Sequence, residues 1–212
     1  MPKTYTSATQ RLLGLPAVFS GRDLTAKFQW SSATASIYLA QWRRAALVRS
    51  LGGHSDVHMN LVVRRDANLD AALHRAYREA IRVGADVLRA AGWTTQIMQR
   101  PEVAVHRIGP KYELPDFTLS PRAPSWFARV APGVERVGQG IGSLHPAWAL
   151  ADMMARMLDR RVKQSWLLAP DDLDLESARA DAEMPAALAA FKLSEDALSD
   201  QAYAELYDRS AV

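Results

Sequence analysis

The sequence predicts an α+β protein in two parts that divide near residue 65, and three observations carry that expectation. Between Phe19 and Asn60 the apolar spacing changes from the i, i+4 pattern of helices to a period of two, broken by Gly52-Gly53. Charge is distributed unevenly. Residues 1–65 hold nine Lys or Arg against Asp23 and Asp56 alone, whereas residues 171–212 hold three against eleven acids. Beyond residue 65, helical patterns alternate with short β-branched runs and a segment rich in Pro and Gly. Two helices followed by a glycine-turned hairpin form the pattern of a winged helix-turn-helix domain, expected over residues 1–65. Residues 66–212 are expected to form a mixed α/β domain with an acidic helical tail.

Each element has its own local reason. Thr6 to Leu13 reads as a first helix, stopped by Gly14 and Pro16. Ser20 caps a second over Gly21 to Phe28, with Leu24 and Phe28 on one face, and a turn follows at Gln29 and Trp30. Ser31 or Ser32 caps a third helix, whose expected buried stripe is Ile37, Tyr38, Leu39, Trp42, Ala45 and Ala46. Leu47 to Leu51 and Val57 to Val62 alternate as the two strands of a wing. The polar run Arg64 to Asn68 serves as a linker. A long helix is expected from Leu69 to Gly84, with Leu73, Ala76, Tyr77, Ala80 and Ile81 on its inner face. Another piece, Ala85 to Ala91, closes at Gly92. Strands are expected at Trp93 to Ile97, Glu102 to Ile108, Phe117 to Leu119 and Val134 to Val137, the last two separated by long loops. Ser143 to Pro146 opens a helix carrying Trp148, Leu150, Ala151, Met154, Met157 and Leu158, and a final helical region follows Pro170.

The head is where chemistry is expected. The third helix would be a recognition helix. The hydroxyls of Ser32, Thr34, Ser36 and Tyr38, with the small Ala35 among them, suit close approach to base edges. Arg43 and Arg44 sit at its far end and would meet phosphates, while His54 near the wing tip either touches phosphate or the minor groove or is an ordinary exposed histidine. An excess of seven basic charges over residues 1–65 is what a phosphate backbone rewards through counterion release, so double-stranded DNA is the expected partner. A lone winged helix reads a short site, which favours cooperative self-association on repeated sites.

Other classes find weaker support. His54 and His58 are four apart, but on a hairpin this spacing does not stack side chains, and no metal motif is expected. Gly138 to Gly142 lacks the spacing of a dinucleotide fingerprint and the Gly-Lys-Ser/Thr of a phosphate loop, and reads as a flexible turn. No Gly-x-Ser-x-Gly and no cysteine occurs, so neither nucleophile elbow nor thiol chemistry is open. Glu102, Glu113 and Asp116 are a conceivable carboxylate cluster, better explained as turns and surface pairs. No catalytic residue and no cofactor is therefore expected. The absence of cysteine, of a signal-peptide core and of an apolar run near 20 residues points to the cytoplasm and away from membranes. The acidic tail reads as the solvated faces of terminal helices in preference to a dock for a basic partner.

Several motifs add a resemblance. Phe19-Ser-Gly-Arg-Asp-Leu24, Tyr38-Leu-Ala-Gln-Trp-Arg-Arg-Ala-Ala-Leu-Val48 and Val57-His-Met-Asn60 lie in the head. Ala80-Ile-Arg-Val-Gly-Ala-Asp-Val-Leu-Arg-Ala-Ala-Gly-Trp-Thr-Thr-Gln-Ile97 and His145-Pro-Ala-Trp-Ala-Leu-Ala-Asp-Met-Met154 lie in the body. Over roughly residues 10–160 the chain resembles the AbiEi family of antitoxins, the transcriptional-regulator halves of bacterial abortive-infection toxin–antitoxin systems. The resemblance implies an N-terminal domain that represses its own operon at repeated sites, with DNA contacts carried over to Ser31, Ser32, Thr34, Ser36, Tyr38, Arg43, Arg44, Arg49 and His54. It also implies a C-terminal domain that supports antitoxicity against a nucleotidyltransferase-type toxin. Two alternatives stand beside it. One is a stand-alone regulator whose body senses a small ligand, with Pro121 to Trp126 as a pocket wall. The other is a nucleotidyltransferase-like protein, against which the lack of Gly-Ser followed at suitable spacing by Asp-x-Asp metal ligands counts.

Overall fold

The structure is a computed structural model that describes residues 7–52, 55–106, 113–136, 140–159 and 167–208. It is a mixed α/β chain with two sheets, divided into two compact units. The first takes the chain as far as Glu79, with short returns near Pro115 and Ile141, and the second holds the remainder. The polar run at residues 64–68 therefore lies inside the first unit, which is larger than the expected head.

The first unit begins with α1 (Ala8–Leu13), capped by Ser7 and Gln10 in a reciprocal pair, and ends it at Gly14. A strand that periodicity did not announce, β1 (Val18–Ser20), leads directly into α2 (Gly21–Phe28). The Asp23 carboxylate accepts from Ser20 N at 2.6 Å and from its hydroxyl at 3.0 Å, tying the helix start back onto itself. Gln29, at φ 54°, stops α2 in the left-handed region. Ser31 caps α3 (Ser32–Arg44). Ala46, also at positive φ, turns the chain into β2 (Val48–Ser50) and β3 (Val57–Asn60), which run antiparallel. The sheet order is β1-β3-β2, with Phe19 opposite His58 and His58 opposite Ser50.

Leu12, Leu15, Phe19, Leu24, Ala35, Leu39, Trp42 and Val48 form its core. Asn60 ties the pieces together from full burial: its amide donates to Leu12 O at 2.8 Å and its oxygen accepts from Val62 N at 3.2 Å. A buried amide survives only when satisfied in this way. The last element, α4 (Leu69–Ala76), packs on β1 and β3, and its Arg75 pairs with Asp23 at 2.5 Å.

The second unit corrects two expectations from the sequence. The long helix from Leu69 ends at Tyr77, whose φ of −136° is extended, and Ile81 to Val83 form a strand, β4. Ile81 and Val83 are β-branched and buried, and pairing between two neighbouring strands outweighs the helical spacing they share with Leu73. After α5 (Ala85–Ala90), Trp93 to Ile97 form no strand: Trp93 is buried while Ile97 is 80% exposed, so the run lacks two-sided burial.

β5 (Glu102–Val105), β6 (Thr118–Pro121), β7 (Val134–Glu135) and β8 (Gly142–Leu144) complete a mixed sheet of order β6-β5-β4-β8-β7. Between β6 and β7 lies α6 (Pro124–Val130), in a stretch expected to loop. Pro124 at its first turn and the i, i+4 pair Trp126 and Val130 were its signals. The central helix α7 (Pro146–Leu158) buries Trp148, Leu150, Met153 and Met154 and packs against α5 and against α9 (Met184–Phe191). α8 (Leu175–Ala180) and α10 (Asp200–Asp208) complete the expected final helical region, and Tyr203 donates to Leu168 O at 3.1 Å. Among the described residues no helix is long and apolar enough to cross a membrane.

Candidate nucleic-acid interface

α3 divides its residues by a simple rule of periodicity. Ala35, Leu39 and Trp42 face the core of the first unit, and Ser32, Ala33, Ser36, Ile37, Gln41, Arg43 and Arg44 are exposed. The helix is thirteen residues long and carries two arginines and no acid. Beside it the hairpin forms one wall of an open groove of about 560 Å³, lined by Ser36 and Arg43 from α3 and by Ser50, Ser55, Asp56 and His58 from the hairpin. Gly52 bends the chain at that wall with φ 97°, a conformation that disfavours a side chain.

The expected site residues separate on this scaffold. Ser31 Oγ accepts from Thr34 N at 3.1 Å and lies 2.9 Å from Thr34 Oγ1, so this pair caps the helix. Ser32 is exposed at the helix start, and its carbonyl accepts the Ser36 hydroxyl at 2.9 Å. Arg43 and Arg44 are exposed and form no ion pair among the described residues. Tyr38 is half-buried: its ring stacks 4.3 Å from Trp30, and the Arg11 guanidinium lies 4.8 Å from the ring centroid. Strand alternation puts Arg49 on the face opposite Ser50, away from the groove. His54 lies outside the described residues.

Ile37 was expected in the buried stripe and is instead 59% exposed. Neighbouring positions on a helix differ by about 100°. Tyr38, adjacent to it, takes the place against Trp30 that the periodic pattern offered to either residue. Ala45 and Ala46 are likewise exposed.

His58 was expected on the wing, where its spacing from His54 suggested no metal site. It is 5% exposed, its ring centroid lies 5.7 Å from that of Phe19, and its Nδ1 has no hydrogen-bond partner among the described residues. Burial pushes its pKa below the ordinary histidine value; Asp56, 3.8 Å from Nε2, pulls the other way, and Arg43 adds to the lowering. The groove wall thus carries a neutral imidazole near pH 7.

Two carboxylates of the body, Glu102 and Asp152, are engaged in structure. Glu102 Oε1 sits 2.7 Å from Arg156 Nη1 and 3.7 Å from Arg122 Nη2. Asp152, on α7 and 2% exposed, accepts from Arg122 at 2.9 Å and from Trp126 Nε1 at 2.7 Å. Trp126, the end of the expected pocket wall, is buried with its polar atom turned inward. Among the described residues no three of His, Cys, Asp or Glu are grouped to hold a metal ion.

Among solved structures, the chain is similar to the RV2827C protein from Mycobacterium tuberculosis, with a TM-score of 0.54 and 15% identity, over 95% of this chain and 80% of that one. At that identity the likeness is one of fold. No family model and no curated protein matches the sequence.

Proposed function

We propose that the first unit is a winged helix-turn-helix module that binds double-stranded DNA, with α3 in the major groove and the β2–β3 hairpin as the wing. In this reading the chain is an antitoxin-like repressor of its own operon, which also counteracts a nucleotidyltransferase-type toxin. The observation that carries the proposal is the exposed, acid-free face of α3, ending in Arg43 and Arg44 and flanked by a hairpin groove with serine hydroxyls. Such a surface can neutralise phosphates while small side chains let a helix approach base edges. Asp56, its side chain 58% exposed, is the one carboxylate among the described residues of the groove wall and would oppose a phosphate beside it, steering the backbone toward Arg43.

The test is fluorescence anisotropy of the full chain with a duplex from upstream of its own coding region and a scrambled duplex, each at two salt concentrations. Selective binding that weakens steeply with salt is the expected result; weak and equal binding to both duplexes overturns the proposal. The antitoxic half, which follows from the AbiEi resemblance, is tested by co-expression with a nucleotidyltransferase toxin encoded beside it. Restored growth is expected, and unrelieved toxicity counts against it.

A further inference from the structure

We infer that Ile37 is a specificity-determining residue that reads a thymine by packing its side chain against the 5-methyl group in the major groove. This rests on the DNA-binding reading above and deepens it by naming the base.

Ile37 lies in the middle of α3, one residue after Ser36 of the groove and seven before Arg44, and is 59% exposed. The core of the first unit does not use it: Ala35, Leu39 and Trp42 supply the inner face of this helix. Its nearest neighbours along the outer face, at i−4 and i+4, are Ala33 and Gln41, both exposed. Ile37 and Ala33 thus make a small apolar strip, with the polar Gln41 beyond it, on an otherwise polar, acid-free surface.

The hydroxyls of Ser31, Thr34 and Ser36 are engaged within the helix. Ser36 donates to Ser32 O, and Ser31 and Thr34 bond each other. The isoleucine is the large apolar side chain that this face of the helix leaves exposed. A β-branched side chain is also stiff about χ1, so little freedom is lost when it docks.

Charge decides what covers the strip. α3 has two arginines and no acid, which suits a polyanion better than a second copy of the same basic face. Along the base edges of the major groove the thymine methyl is the protruding apolar group.

The experiment uses the full chain and a duplex enriched from a randomised pool by rounds of binding. Each thymine in the enriched duplex is then replaced by uracil, which removes only the methyl group. Wild type is expected to lose about threefold to fivefold in affinity at one or two thymines, the effect of one buried methyl. Ile37→Ala should bind the thymine and uracil duplexes equally, and Ile37→Val should restore the difference. Thermal midpoints of both variants should match wild type, since the side chain supports no core. A wild type indifferent to uracil, or a thymine preference that persists in Ile37→Ala, overturns the inference while leaving DNA binding intact. A pool that yields no enriched sequence removes the DNA reading itself, and this inference with it. A change in the mass of the DNA-free protein on Ile37→Ala, read by sedimentation, would assign the strip to a contact between copies and overturn it as well.

Discussion

Two groups of arginines, one in each unit, handle charge in opposite ways. In the first, Arg43 and Arg44 stand exposed on α3 with no ion pair among the described residues. In the second, Glu102, Arg122, Asp152 and Arg156 are drawn inward, each side chain at most 16% exposed, into a network of two cations and two anions. A buried charge is tolerable only when paired and hydrogen-bonded, so the second arrangement is self-neutral and structural. An exposed cation without a partner costs the fold almost nothing and remains available to an outside anion. Arg43 and Arg44 are thus cations that the fold does not use.

Breaking the inner network gives the largest effect. Asp152→Ala leaves Arg122 buried beside one distant carboxylate and Trp126 Nε1 unpaired, and should destabilise the protein by about 3–5 kcal/mol in urea unfolding. The double change Arg43→Gln with Arg44→Gln should show the reverse profile. Stability stays within about 0.5 kcal/mol of wild type. Affinity for every duplex falls at least about tenfold, and the salt slope shrinks by about two if each arginine meets one phosphate. Equal slopes in variant and wild type would mean that these arginines face away from DNA.

Ser31 sharpens the line between fold and site. As an N-cap, Ser31→Ala should cost about 1 kcal/mol and Ser31→Gly only a few tenths, with no change in preference between operator and scrambled DNA. A selective loss of operator binding without loss of stability would return Ser31 to the DNA-contacting set. The smallest effect is the titration of His58. Its folded pKa lies below the unfolded value near 6.5, so the unfolded chain takes up protons first as pH falls. The stability from its neutral form is complete above about pH 6.5 and is lost as pH drops toward the depressed value. A urea-midpoint profile from pH 7.5 to about 5 should slope downward toward acid in wild type and flatten in His58→Gln. An unchanged slope would remove His58 as its source.

Much of the first unit was legible in the chain because its signals are local. Ser20 and Ser31 precede helices they cap, the period changes from helix to strand within a few residues, and Gly52 supplies the positive φ of the hairpin. The excess of base over acid in the head needs no coordinates at all. β1 escaped because three residues carry too little periodicity and exist as a strand only through pairing with β3. The proposed site was read less well than its scaffold. Arg49 turned to the other face of its strand, Tyr38 joined an aromatic stack, and Ile37 turned outward.

By itself, the sequence determined an α+β chain with a basic head, a helical pair and a hairpin, since caps, turn residues and periodicity act within one or two turns of backbone. Tertiary structure alone decided that Ile81 and Val83 become the centre of a sheet, that Asp152 meets Arg122 thirty positions away, and that Tyr38 rather than Ile37 packs inward. Those outcomes depend on which distant partner arrives to bury a β-branched pair, neutralise a charge or stack on a ring, and spacing along the chain does not encode that choice.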